Sequence, residues 1–180
     1  MTFFPSLPED AGLAELQAPY PDIWILWGKF SEALMRAPGP LPVAERELIA
    51  AYVSGLNDCK LCWADHTLAA KTFGIDPDVF TKLMEDIDTS TVDEKMKPVL
   101  KFVRKLTQTP SKLTQADADA IYAAGWKEAE FHYVIAVCAR YNFINRLVDG
   151  HGVKYTEEHT RIWKEDQDMG FNILPQQEAG

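Results

Sequence analysis

The chain has 180 residues, 47% of them apolar, enough to bury one core of ordinary size without covalent staples, so its 3 cysteines are not needed to hold it folded. A formal net charge of −9, with no dense run of Lys or Arg, excludes a surface that tracks phosphates, and no nucleic-acid partner is expected. No run approaches the roughly 20 apolar residues that cross a bilayer, so no membrane segment is expected either.

The opening residues, Met1-Thr2-Phe3-Phe4-Pro5-Ser6-Leu7-Pro8-Glu9-Asp10, lack a basic start leading into a long apolar core. No secretory signal is read there, and the expected compartment is the reducing cytoplasm, where a close cysteine pair is catalytic or metal-binding rather than structural. Residues 1–20 read as an N-terminal arm. From there helical periodicity dominates, and no segment shows the sustained alternation of a half-buried strand. The pattern predicts helices over 22–36, 43–56, 59–73, 77–87, 93–107, 115–124, 128–149 and 156–168. They form a single all-α domain over 21–170, followed by a C-terminal tail over 171–180. Pro38-Gly39-Pro40-Leu41-Pro42 is a stiff break, Gly74-Ile75-Asp76-Pro77 ends one helix and starts the next, and Thr109-Pro110-Ser111 separates two halves. A degenerate internal repeat is also legible. Glu47 to Val53 can be laid on Glu130 to Ala136, a register in which Cys59, Cys62 and His66 meet Asn142, Asn145 and Asp149.

The chemistry gathers at Asn57-Asp58-Cys59-Lys60-Leu61-Cys62-Trp63-Ala64-Asp65-His66. At 100° per residue, Cys62 lies about 60° from Cys59 around the helix and His66 falls between them, about 20° from Cys59. The imidazole stands one turn beyond Cys62, where it can take or share that thiol's proton. Cys59 is at the helix start, where free backbone N–H groups favour an anion. A short turn should return this helix antiparallel to the one before it, bringing Glu47 to the His66 end of the stripe. The order along the cleft is then Glu47, His66, Cys62, Cys59. Ala51 and Ser54 are small enough for close approach, while Glu45, roughly 200° away, should face elsewhere. A carboxylate that fixes one imidazole tautomer is what a thiol nucleophile needs.

Each residue also has a plainer reading. The Cys-x-x-Cys with a His four residues on is a zinc set in principle, but tetrahedral sites gather ligands from two elements, so no metal is expected. Asp65 and Asp58 are rival carboxylates, Asp58 reading better as a cap at the helix start. Cys138 reads as a small buried core residue. Trp24, Trp27, Phe30, Trp63, Tyr141 and Phe143 read as core or interface packing rather than a substrate wall.

The stretch from Leu41 to His66, with its Glu, Cys, Cys, His spacing, resembles the signature of AhpD-like alkylhydroperoxidases within the carboxymuconolactone decarboxylase superfamily. The resemblance is to the peroxidase-related branch, which also shares Tyr20-Pro21-Asp22-Ile23-Trp24 and Tyr141-Asn142-Phe143-Ile144-Asn145-Arg146-Leu147-Val148-Asp149-Gly150, so that it spans about 20–153. It implies an all-helical AhpD-like fold, a homotrimer or trimer-based hexamer, and cofactor-free reduction of a hydroperoxide substrate. Cys62 would be the peroxidatic thiol and Cys59 the resolving one, with Glu47 and His66 as the proton relay. An external dithiol, on a lipoyl-bearing or thioredoxin-like protein, would restore the pair. One departure stands out: the best-known AhpD proteins carry a further His immediately before the second cysteine, where this chain has Leu61. That departure keeps open a thiol-disulfide oxidoreductase or peroxide sensor with little peroxidase turnover, and a non-catalytic module holding zinc is a third reading. Superfamily decarboxylases lack the cysteine pair, so lactone decarboxylation is not expected.

Overall fold

The computed structural model describes residues 2–157. The chain runs through α1 (Leu13–Gln17), α2 (Pro21–Met35), α3 (Val43–Leu56), α4 (Lys60–Thr72), α5 (Asp78–Glu85), α6 (Met96–Gln108), a 3-10 turn (Pro110–Lys112), α7 (Gln115–Ala123) and α8 (Glu128–Gly150). There is no strand among the described residues, so the all-α expectation holds. The helix expected over 156–168 and the tail over 171–180 lie essentially outside them.

Boundaries follow local chemistry. Pro21 opens α2 at a position where its missing N–H costs nothing. The Asp117 carboxylate takes the Thr114 N–H at 2.7 Å to start α7, and Glu130 takes the Lys127 N–H at 3.0 Å to start α8. α6 begins at Met96 rather than at 93 because the Asp93 side chain accepts the Lys95 N–H at 2.9 Å, a local bond that competes with helix. Within residues 2–20, α1 forms where Glu15 accepts the Gly12 N–H at 2.9 Å. Leu16 is buried beneath it, and the Phe4 ring stacks on His151 beyond the end of α8, centroids 4.5 Å apart.

α3 is the axis of the molecule. From Arg46 to Ser54 every residue is buried, because α4, α8, α6 and α5 all pack against it. Its small residues Ala50, Ala51 and Ser54 let neighbouring backbones come close, and α4 contributes Ala69 and Ala70 to the interior. A helix enclosed on all sides cannot hydrate its polar side chains, so Arg46, Glu47 and Ser54 must find partners inside the protein. The segment echoed by the sequence repeat is built differently in the two places: α3 stops at Leu56, whereas α8 runs unbroken past Asp149.

Candidate active site

The turn between α3 and α4 sets the position of the cysteines. Asn57 ends α3 and Asp58 follows in the left-handed region, φ 54°. The Asp58 N–H reaches the Gly55 carbonyl at 3.1 Å and the Cys59 N–H reaches Ser54 at 3.0 Å, the paired bonds of a Schellman motif. Asp58 is therefore not the helix cap that its sequence position suggests. It supplies the left-handed residue that lets the chain reverse, which an aspartate tolerates better than most side chains. Cys59 becomes the N-cap residue of α4, and its carbonyl accepts the Trp63 N–H at 2.9 Å.

A polar seam pins this turn to α8. The Asn57 amide donates to Asn145 at 2.9 Å and Asn142 at 3.2 Å, and Asn145 donates to Ser54 Oγ at 3.1 Å. Asn142 in turn donates to Thr107 Oγ1 of α6 at 3.1 Å. The residues that the sequence echo aligned with Cys59 and Cys62 thus serve as the clamp that holds the cysteine turn in register.

Glu47 and His66, from the facing helices α3 and α4, meet in the interior: Glu47 Oε2 lies 2.7 Å from His66 Nδ1, with Glu47 0% exposed and His66 7%. Arg36, just beyond α2, puts Nη1 2.5 Å from Glu47 Oε1. Burial alone would push the Glu47 carboxyl up, but His66 and Arg36 together hold it below its ordinary value, so it is an anion. Burial moves His66 the other way, lowering it despite Glu47, with Arg140 and Arg36 adding to the effect. With Arg36 answering the carboxylate's charge, the imidazole is neutral. It donates from Nδ1 to Glu47 and keeps a lone pair on Nε2. Tyr141 of α8 adds a hydroxyl 3.2 Å from the same nitrogen and an edge-on ring, centroids 4.4 Å apart. Burial raises the Tyr141 hydroxyl well above its usual value, and Cys62 is among the groups it feels electrostatically.

Cys59 and Cys62 are both free thiols, 0% and 4% exposed. The Cys59 thiol is hydrogen-bonded to Cys62, and that bond together with burial pushes its proton affinity far up. It remains a thiol. Among the sequence candidates, then, the structure brings Glu47 directly onto His66 and Cys59 onto Cys62. The two pairs are one turn apart on α4, with Tyr141 between them. Arg36 was not anticipated. Its one signal in the sequence is that a carboxylate on a fully enclosed helix requires a cation, and no pattern says which.

Arg46 explains how Arg36 reaches the site. It is 1% exposed and donates to the carbonyls of Leu41 (2.6 Å), Ala37 (2.8 Å) and Leu34 (3.0 Å), gathering the 34–41 connection around itself. Gly39 passes so close that an added Cβ would stand 2.7 Å from Arg46 Nη2. Of the remaining candidates, Trp24, Tyr141 and Cys138 are core, while Phe30 and Phe143 are each 47% exposed. Asp65 is largely buried, and burial raises its carboxyl to about 7. Among the described residues no three His, Cys, Asp or Glu side chains converge as a metal set would, and no helix is long and apolar enough to cross a membrane.

Solved structures share this architecture. A peroxidase-related protein from Silicibacter sp. TM1040 superposes with a TM-score of 0.75 at 22% identity, covering 82% of this chain and 78% of its own. A peroxidase-related protein from Ralstonia eutropha JMP134, described as an alkylhydroperoxidase AhpD core, gives 0.73 at 22% identity, covering 81% and 76%. The debrominase Bmp8, solved with 2,3,4-tribromopyrrole, gives 0.70 at 15% identity, covering 84% and 80%. No curated protein matches the sequence. Over residues 21–88 the chain matches the carboxymuconolactone decarboxylase family, and over most of its length it has the fold of the AhpD-like, peroxidase-related proteins.

Proposed function

We propose that the chain is a thiol-dependent peroxidase that reduces hydroperoxides through Cys62 and Cys59, with Glu47 and His66 as its proton relay. The observation that carries this reading is the buried 2.7 Å contact between Glu47 and His66, on the helix that presents Cys62 one turn earlier. His66, its Nδ1 proton held by Glu47, offers Nε2 as the base for the Cys62 thiol. Because Cys59 retains its proton, Cys62 is the sulfur that ionises. The Cys62 thiolate attacks the distal peroxide oxygen, the O–O bond breaks, and the alcohol or water departs with the proton that the relay returns. Cys59 then attacks the resulting sulfenic acid, water leaves, and the pair closes as a disulfide. No cofactor takes part, and an external dithiol restores the thiols.

The test is stopped-flow mixing of reduced protein with hydrogen peroxide and bulkier organic hydroperoxides, with thiols counted before and after. Peroxide should be consumed as the Cys59 and Cys62 thiols disappear together, and Cys62→Ser should abolish consumption. Undiminished turnover in that variant would rule the mechanism out.

A second reading, a thiol-disulfide oxidoreductase or peroxide sensor, is favoured by Leu61, which leaves the relay one group shorter. The fold is shared with a debrominase, so fold alone does not name the oxidant. This reading predicts a measurable disulfide potential with negligible peroxide turnover. For assembly we propose a homotrimer or trimer-based hexamer in the cytoplasm. Ile23, Leu26 and Phe30 line an outward stripe of α2, 61%, 69% and 47% exposed, and Phe143 extends it. Light scattering on the eluting protein should return a multiple of three chains, and a monomer would refute the assembly.

A further inference from the structure

A pocket of about 170 Å³ opens over the α3–α4 turn, lined by Ser54, Gly55, Asp58, Cys59, Lys60, Trp63 and Met84. Cys59 is in its wall and Cys62 is not. Gly55 makes the floor: a Cβ there would stand 2.6 Å from the Trp63 ring and 2.8 Å from Met84 Sδ, so the absence of a side chain keeps the two walls in place. The volume is comparable with an engineered cavity of about 150 Å³ that takes up one benzene. Lys60 and Asp58, both exposed, lie towards solvent, while Trp63 and Met84 supply apolar walls.

We infer that this pocket admits the electron donor as a thiol on a slender alkyl arm, which attacks Sγ of Cys59 in the oxidised Cys59–Cys62 pair. The inference rests on reading those cysteines as a redox pair. Cys59 is 0% exposed, so the cysteine of a broad protein face cannot reach it, whereas a narrow arm inside the pocket can. The choice of sulfur has a chemical side as well. Disulfide exchange expels the thiol of lower proton affinity faster, and Cys59, which holds its proton strongly, is the poorer leaving group. The donor thiolate forms a bond to Cys59 Sγ, the Cys59–Cys62 bond breaks, and Cys62 departs with the electron pair beside its relay. The donor's second thiol attacks its own sulfur in the mixed disulfide and closes a ring. Cys59 leaves with the electron pair and takes up a proton. Two electrons pass from an alkyl dithiol to the protein.

The disulfide is made with diamide, without peroxide, so the outcome is separable from that of the peroxidase assay. It is then opened with cysteamine, quenched in acid, alkylated with iodoacetamide and digested with trypsin, which cuts after Lys60 and so separates the two cysteines. Cysteamine should be found on Cys59 and the alkyl group on Cys62. The reverse distribution would overturn the inference. Met84→Trp, which fills the pocket from α5, should slow reduction by dithiothreitol at least about tenfold, while Met84→Ala should speed reduction by bulky aryl thiols. Unchanged rates in both would count against it. An alkyl dithiol tethered to a carrier domain should reduce the protein as dithiothreitol does, and thioredoxin should be at least about a hundredfold slower per thiol; a faster thioredoxin would refute the narrow-arm requirement.

Discussion

Replacing Arg36 by Met tests the electrostatic logic of the site more sharply than any cysteine change. Glu47 is wholly buried, and its two carboxylate oxygens are engaged by Arg36 and His66. With Arg36 gone, the carboxylate must be neutralised by His66 or by its own protonation. Breaking a buried ion pair by removing one partner costs about 3–5 kcal/mol, a large part of the roughly 5–15 kcal/mol by which such a domain is stable. That cost will depend on pH. Arg36 is one of the charges that lower His66, so its removal raises the imidazole, and each unit of rise is worth about 1.4 kcal/mol. A group raised above its unfolded value adds stability that is present below the unfolded value, near 6.5 for histidine, and lost as pH climbs through the folded one. Urea unfolding at pH 6 and pH 8 should therefore find Arg36→Met much less stable than the parent at pH 8 and recovering by about 1–2 kcal/mol at pH 6. Adding Glu47→Gln should remove that recovery. A loss under about 1 kcal/mol at pH 8, or an equal loss at both pH values, would refute the argument.

Asp65 makes the opposite contribution to the parent. Burial raises its carboxyl from 3.8 to about 7, so its neutral form adds stability below pH 4 that drains away as pH rises to 7, at most about 4 kcal/mol; Asp65→Asn should remove that slope and be the more stable protein at pH 8 by urea unfolding. At Asp58, φ 54° predicts that Asp58→Gly leaves stability equal or higher while Asp58→Val loses about 1–2 kcal/mol, read as thermal midpoints. Tyr141→Phe deletes one hydroxyl 3.2 Å from His66, a hydrogen bond worth about 0.5–1.5 kcal/mol, and should slow peroxide-driven disulfide formation about threefold to tenfold without abolishing it.

Much of this was readable in the sequence because helical periodicity and proline or glycine breaks act locally. α3 falls at 43–56 as expected, and α2, α4, α7 and α8 shift by a residue or so at their ends. Glu47 and His66 could be paired from sequence because a hairpin of two helices with a short turn leaves little freedom in register. What could not be read depends on contacts between distant segments. Asp58 has the composition of a cap, yet whether it caps α4 or closes α3 is decided by which carbonyls of α3 the turn can reach. Arg36 approaches Glu47 only because the 37–42 connection folds around Arg46, and no helical period describes a loop. Tyr141 reads as core and is core; its hydroxyl at His66 is a consequence of α8 crossing α3, visible only once the helices are packed.

The burial of the site ties its chemistry to its stability. Arg46 and Glu47 are adjacent on α3 and divide the work: one collects the carbonyls of the incoming loop, the other receives the guanidinium that the loop delivers. Each is tolerable inside the protein only because its partners are complete, so loosening the loop at Gly39 should strand the charge at Glu47 as surely as a change at Arg36. The same enclosure that makes these charges expensive keeps His66 neutral and Cys59 protonated, leaving Cys62 as the sulfur with a base one turn away. A site assembled this way has its protonation states set by packing rather than by solvent, and its relay should hold its tautomer across the pH range in which the Arg36–Glu47 pair remains intact.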